Sequence, residues 1–371
     1  MHTWCEISGE RLKQNFLKLR GLAGGSLLAC VLKSNAYGHG LEPVFKALAP
    51  LEPQVLCLNY LYEAKLLRSL FYEGRILLVG PSLPSELELA YNLNVEVAIG
   101  SEELLNAWVK EKKKAFIHLE FDTGLSRQGL FLEKTESYWE QIAKHKDFVK
   151  GVSTHFANVE DVTNQSYAEK QLKFLQGVAQ FFKQKGLSFE LHAAASAPTL
   201  IMADSRFDLC RVGISLYGFW PSTLTKLSYL SQKNDVLSLQ PALAWHTRVV
   251  SKRLVKAGTF VGYGCSHRVS SDTFVATISV GYYEGYPRGL SQSGAYVLCQ
   301  GKRCSLLGRV CMNMLMVDVS SCFNIEVGEK VTLIGEQENE VIQAEDLAAW
   351  GQTIQYEIVT RIHPQIPRVL V

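Results

Sequence analysis

Short apolar runs alternate with amphipathic stretches along the first two thirds of the chain. The runs are residues 27–33 (LLACVLK), 54–58 (QVLCL), 75–79 (RILLV), 95–99 (VEVAI), 115–121 (AFIHLEF), 149–155 (VKGVSTH), 189–193 (FELHA) and 208–214 (DLCRVGI). Each is too short for a helix and is followed by helical spacing, the pattern of βα units that build a parallel sheet. Eight such strands joined by right-handed crossovers predict a (β/α)8 TIM barrel, preceded by a helix over residues 10–20. An open doubly wound sheet is disfavoured, because the first turn (KSNAYGHG) has no GxGxxG fingerprint and polar residues end several strands instead of one switch point.

Further on, the pattern changes to alternating strands with Gly turns (AWHTRVVSKRLVKAGTFVGYG, TFVATISVGY, EKVTLIGEQENEVI) and one clear helix near Glu345. The expectation is therefore two domains, a barrel over residues 1–235 and a mainly β domain over residues 236–371.

Composition narrows the class only a little. With 371 residues, 47% apolar and 20% charged, the chain can bury a full core. Its net charge is +2 and its only basic run is KEKKK at 110–114, expected to be a solvated helix end, so neither nucleic acid nor a membrane surface is an expected partner. The nine cysteines lie singly in apolar strands with no CxxC pair, which suits small core residues in a reducing compartment and no metal site. The start MHTWCEISGERLKQ lacks an apolar core of signal-peptide length, and no run approaches the roughly 20 apolar residues that span a bilayer. A cytoplasmic protein is expected.

Barrel enzymes carry their chemistry at the C-terminal ends of the strands. There the sequence puts Lys33 after strand one, Arg127 after strand five, His155 after strand six, Ser196 after strand seven, and Arg211 with Gly213 at strand eight. Any one of them has an ordinary structural explanation, a snorkelling lysine or a histidine bonded to a local carbonyl. Together they are harder to dismiss, because closure sets strand one beside strand eight and brings Lys33, Arg211 and the Gly213 amide to one rim. Loops after strands seven and eight commonly bind phosphate, and Ser196 with VGIS (212–215) is where that site falls. A phosphate site beside a strand-tip amine points to pyridoxal phosphate held as a Schiff base.

Four motifs, ACVLKSNAYGHG, RVGISLYG, VGYG with SVGYYEGYPR, and GRVCMNM, carry a resemblance to the alanine racemase family over nearly the whole chain. That family is a barrel followed by a β domain, and it interconverts L- and D-alanine, the D-isomer serving as a peptidoglycan precursor. The resemblance implies that Lys33 binds the cofactor and is one of two acid/base groups, Tyr263 from the partner chain of a homodimer being the other. His155 matches the residue that assists this phenol, and Arg211 the arginine facing the pyridine nitrogen. A guanidinium cannot give up its proton, so the ring stays a weak electron sink and simple reprotonation is favoured. Tyr37, Ser196, Gly213, Ile214 and Tyr356 match cofactor phosphate contacts, Arg127 and the Met312 backbone match substrate carboxylate contacts, and Tyr282 and Arg288 match the access corridor.

Three positions depart from the family pattern. Glu120 stands where a carbamylated lysine is common, and as a planar anion it is expected to orient Arg127; Asn313 replaces an aspartate and Ala195 an asparagine. The competing readings are a broad-specificity amino acid racemase, whose members are typically exported, and a barrel-type decarboxylase, which uses a cysteine of the second domain. Cys311 has no neighbour in sequence that would make it a nucleophile. A cofactor carrier built on the barrel alone would leave the β domain without a purpose.

Overall fold

The computed structural model describes residues 1–161, 163–232 and 237–371. The domain boundary expected between 235 and 236 lies outside them. The described chain forms two compact units, a barrel unit (10–34 and 45–241) and a β unit (1–9, 35–44 and 242–371).

After β1 (Thr3–Ile7), which belongs to the β unit, come the barrel strands β2 (Leu27–Val31), β3 (Val55–Leu58), β4 (Arg75–Leu78), β5 (Glu96–Ile99), β6 (Ile117–Glu120), β7 (Val149–Ser153), β8 (Glu190–His192) and β9 (Leu209–Val212). All eight expected strands are formed, with ends trimmed by a few residues. They pair in parallel in the order β8-β7-β6-β5-β4-β3-β2-β9. Backbone bonds from Asp208 N to Leu191 O (3.0 Å) and from Arg211 N to Ala194 O (2.8 Å) join the two outer strands and nearly close the ring. Every residue of β3, β5, β6 and β9 is buried, the reason these strands read as mainly apolar runs rather than alternating ones, with Glu96, His118, Glu120 and Arg211 as buried polar exceptions.

The leading helix, α1 (Gly9–Ala23), carries one buried polar side chain. Asn15 donates to Leu216 O (3.2 Å) and Gln240 O (2.8 Å) and accepts from Gln240 N (2.9 Å), so its burial leaves no amide unpaired. The basic run at 110–114 corrects one expectation. It does end a helix (Glu102–Lys110), but Lys114 turns inward and donates to the carbonyls of Trp108 (2.9 Å), Val109 (2.9 Å) and Glu111 (2.7 Å). Carbonyls at the helix end, short of intrahelical donors, draw the ammonium in, and Trp108 O accepts from Glu111 N (3.2 Å) as well.

In the β unit the long strand β10 (Leu243–Val255) pairs antiparallel with β1, with Thr273–Ile278 and with Lys330–Gln337. β1 also pairs in parallel with Arg368–Leu370, so both chain ends enter one sheet. Two helices, Ala344–Trp350 and Gln355–Arg361, stand where one was expected. Seven residues give too little periodicity to reveal the second. The nine cysteines are free thiols, and among the described residues no helix is long and apolar enough to cross a membrane.

Candidate active site

Strand β2 delivers Lys33 to the C-terminal rim of the barrel. Leu32 N still bonds Cys57 O of β3 (2.8 Å), so the sheet holds the chain up to the residue before the amine. Burial holds the Lys33 ammonium below its ordinary pKa, and the guanidiniums of Arg127 and Arg211 add to this against the opposing pull of Cys57 and Glu63. Desolvation and nearby cations are what turn a lysine into a nucleophilic amine and proton acceptor.

Arg127, Arg211, His155 and Glu120 share this neighbourhood. His155 is pushed down to about 3, first by burial and then by Arg211, Arg127 and Lys33, so its imidazole is neutral at physiological pH. Burial raises the Glu120 carboxyl, opposed by the bond from Gln128 Nε2 to its Oε2 (2.7 Å) and by the charges of Arg211 and Arg127. Glu120 thus has Gln128 as its hydrogen-bond donor, while Arg127 acts on it as a nearby charge. The Arg127 guanidinium has no hydrogen-bond partner among the described residues. Its loop is locked from behind, where Asp122 Oδ1 accepts from Gly124 N (2.9 Å) and Ser126 N (3.1 Å).

Arg211 lies inside the barrel. Its Nη2 donates to Thr154 O (2.9 Å) and Ala193 O (3.4 Å) and its Nη1 to His192 Nδ1, while Nε has no partner among the described residues. Ser196, after β8, accepts from Gly213 N, after β9 (3.0 Å), which ties together the two loops expected to hold phosphate. In the 3-10 turn Ile214–Tyr217 the Ser215 hydroxyl is buried without a partner among the described residues. Ala195 precedes the helix Ser196–Ile201 and supplies no side-chain cap.

Immediately after Lys33 the backbone turns left-handed. Ser34, Asn35, Ala36 and Tyr37 have φ of +58, +54, +54 and +52°, followed by Gly38 at +79°. Four consecutive non-glycine residues in this region cost several kcal/mol, at roughly 1–2 each, and strain of this kind gathers at functional sites. The turn is fixed within the β unit: Gly40 N bonds Asn35 O (2.9 Å), Leu41 N bonds Asn35 Oδ1 (2.8 Å), and Arg368 Nε bonds Gly38 O (3.0 Å). It sets the Tyr37 ring 6.2 Å from that of Tyr356.

The other expected residues also lie in the β unit. Tyr263 is 72% exposed, on a 3-10 turn between Gly262 (φ +78°) and Gly264 (φ +73°). Met312 is 55% exposed, and its carbonyl accepts from Tyr283 N (2.9 Å), while Tyr282 N bonds Cys311 O (3.0 Å). Asn313 donates to Glu284 Oε1 (2.8 Å), so this departure has a partner of its own. Arg288 is exposed at the start of a 3-10 turn.

The alanine racemase N-terminal domain family matches residues 7–221 and the alanine racemase C-terminal domain family residues 242–370. The chain belongs to the alanine racemase family. An alanine racemase of Leptospira interrogans is 36% identical over 376 residues, covering 100% of this chain and 96% of its own. One of Carboxydothermus hydrogenoformans is 36% identical over 377 residues, covering 99% of each. Among solved structures, the Bacillus anthracis alanine racemase with bound L-Ala-P superposes with a TM-score of 0.90 at 29% identity, covering 100% of this chain and 95% of that one. The enzyme from Streptomyces lavendulae gives 0.88 at 31% identity, with 100% and 97% covered.

The alanine racemase cofactor is pyridoxal phosphate, and the residues present fit it. A desolvated amine, a guanidinium with one unpaired N–H, and an orphaned buried hydroxyl beside Gly213 and Ile214 suit an aldehyde, a pyridine nitrogen and a phosphate in turn. Ser215 falls within the VGIS stretch expected at the phosphate site, whereas Gln128 and the buried pair His118 and His192 are residues that the sequence reading left aside. The two histidines were visible as polar letters inside the apolar runs AFIHLEF and FELHA.

Proposed function

We propose that the chain interconverts L- and D-alanine by moving the Cα proton between Lys33 on one face of the substrate and Tyr263 of a second copy on the other. The observation that carries this reading is the depressed Lys33 amine among Arg127, His155 and Arg211 on the barrel rim. Pyridoxal phosphate supplies, when bound, an aldehyde for attachment to an amine and a ring that acidifies the substrate Cα–H. Lys33 accepts the proton as a neutral amine and returns it as the ammonium. His155, neutral at physiological pH, is the acceptor that lets the Tyr263 phenol work as a base. Arg127 and the Met312 backbone hold the substrate carboxylate. Arg211 holds the pyridine nitrogen without protonating it, and Tyr37, Ser196, Gly213, Ile214 and Tyr356 hold the phosphate.

The working form is a homodimer. Tyr263, Tyr282, Tyr283, Met312 and Met314 form an exposed apolar group in the β unit, of the kind that a partner surface covers. Nine reduced thiols favour a cytoplasmic site of action.

The test is incubation of the purified protein with L-alanine in deuterium oxide, reading label at Cα together with D-alanine. Borohydride fixation and peptide mapping should put a pyridoxyl group on Lys33. Tyr263→Phe should lower racemisation by roughly 10²–10⁴-fold. Label without any adduct at Lys33, or a fully active Tyr263→Phe protein, refutes the assignment of roles.

A further inference from the structure

The interior of the barrel holds a continuous string of polar side chains running from the catalytic rim to the opposite mouth. Arg211 Nη1 faces His192 Nδ1; His192 Nε2 lies 2.7 Å from His118 Nδ1; His118 Nε2 lies 2.8 Å from Glu96 Oε2. Glu96 opens strand β5 at the N-terminal end of the barrel. There Arg75 bridges it to Glu190, with bonds of 2.8 and 3.0 Å to Glu96 and of 2.8 and 2.8 Å to Glu190. Both histidines and Arg211 are buried, so every ring nitrogen needs its partner.

The ends of the string decide its direction. A guanidinium only donates, and an ionised carboxylate only accepts. Arg75 and His118 hold Glu96 down at about 2 despite its burial, so it is ionised at any working pH. Between a fixed donor and a fixed acceptor, each neutral imidazole has one tautomer that satisfies all contacts. His118 donates from Nε2 to Glu96 and accepts at Nδ1, and His192 donates from Nε2 to His118 and accepts at Nδ1 from Arg211. Burial and the charge of Arg211 keep His192 far below the ordinary histidine pKa, in keeping with a neutral ring.

Strand β7 lies between the strands that carry the two rings and is cleared for the contact. A Cβ on Gly151 would sit 2.0 Å from His118 Nδ1 and 2.6 Å from its Cε1. Any side chain at 151 would occupy the place of the ring.

We propose that Glu96 is a positioning residue for the rim chemistry: through His118 and His192 it fixes the acceptor that orients Arg211. The proposal rests on the reading that Arg211 faces the cofactor nitrogen. Glutamine at 96 has the same shape but can donate. It permits the reversed string, in which His192 presents Nδ1–H to an Arg211 N–H, donor against donor, and the guanidinium must turn away.

The experiment is ring-nitrogen NMR on ¹⁵N-histidine-labelled protein, assigned with a His192→Gln variant, alongside steady-state kinetics. Wild type should show both rings as neutral Nε2–H tautomers, with or without pyridoxal phosphate. Glu96→Gln should lose that pattern at both rings and lower kcat roughly 10- to 100-fold, as loss of an outer partner does, with KM for alanine within about threefold. Glu190→Gln, which keeps the carboxylate at 96, should change neither readout. Gly151→Ala reaches the same string from another strand and should disturb both rings, which covers the case of a Glu96→Gln protein that folds poorly.

Unaltered tautomers in Glu96→Gln overturn the proposal, as does their loss with an unchanged kcat. Wild-type protein that does not racemise alanine refutes the functional reading instead. In that event the ring-nitrogen spectra of cofactor-free protein still decide the direction of the string.

Discussion

Replacing Gly38 by alanine tests the left-handed turn that follows Lys33. At φ +79° a residue with a Cβ carries a cost of roughly 1–2 kcal/mol. The new methyl would lie 1.9 Å from the Val359 carbonyl oxygen and 2.7 Å from its carbon. That carbonyl belongs to the helix Gln355–Arg361, which also carries Tyr356. The contact must open by about 1.5 Å to reach an ordinary separation, and overpacking of backbone against backbone adds roughly 1–3 kcal/mol. The total is about 2–5 kcal/mol. Urea denaturation of cofactor-free protein should show that loss, and titration with pyridoxal phosphate should show weaker binding, because the Tyr37–Tyr356 pair moves with the turn and the helix. Gly21→Ala is the control: it sits in α1 with open space around it and should stabilise by about 1 kcal/mol. A Gly38→Ala protein with wild-type denaturation midpoint and cofactor affinity would refute both the turn and the cofactor-holding role proposed for Tyr37 and Tyr356.

Lys114→Met should take the shared ammonium from the carbonyls of Val109 and Glu111 and leave Trp108 O with Glu111 N alone, and cost about 1–3 kcal/mol in thermal unfolding, with activity per folded molecule unchanged. Tyr217→Phe removes the hydroxyl that donates to Val31 O (2.9 Å) at the tip of β2; stability should fall by about 1–2 kcal/mol, and kcat should fall because Lys33 is two residues on. The Glu96 carboxyl titrates at about 2 in the folded chain against an ordinary 4.5, so its contribution is present above pH 4.5 and is lost as the pH falls towards 2. That shift corresponds to about 3 kcal/mol. Acid titration of stability should therefore separate wild type from Glu96→Gln above pH 4.5 and bring the two together near pH 2, and curves that stay parallel throughout would contradict the pairing with Arg75 and His118.

The barrel was legible because burial on both faces leaves a strong local mark. Residues 55–58 are apolar and buried throughout, filling space between neighbours, and their letters say so. Lys33, Arg211 and His155 were candidates for a related reason, since each alone has an ordinary structural explanation but all three end apolar runs that closure brings to one rim. The left-handed turn left almost no trace. Ser, Ala and Tyr do not favour positive φ, and only Asn35, Gly38 and Gly40 hinted at it. Tertiary bonds to Asn35 and Gly38 hold what local preference resists. Lys114 was misread because its partners are carbonyls, which carry no letter in a sequence.

Local patterning by itself determined the number and order of the barrel strands, and single residues at their tips marked candidates for the chemistry. Pairing across distance was decided only in three dimensions: Glu120 with Gln128, Ser196 with Gly213, and the string from Glu96 through two histidines to Arg211. The physical reason is range. A strand's burial depends on its own few side chains, whereas a hydrogen bond between buried groups depends on where two separate strands place their atoms to within tenths of an ångström.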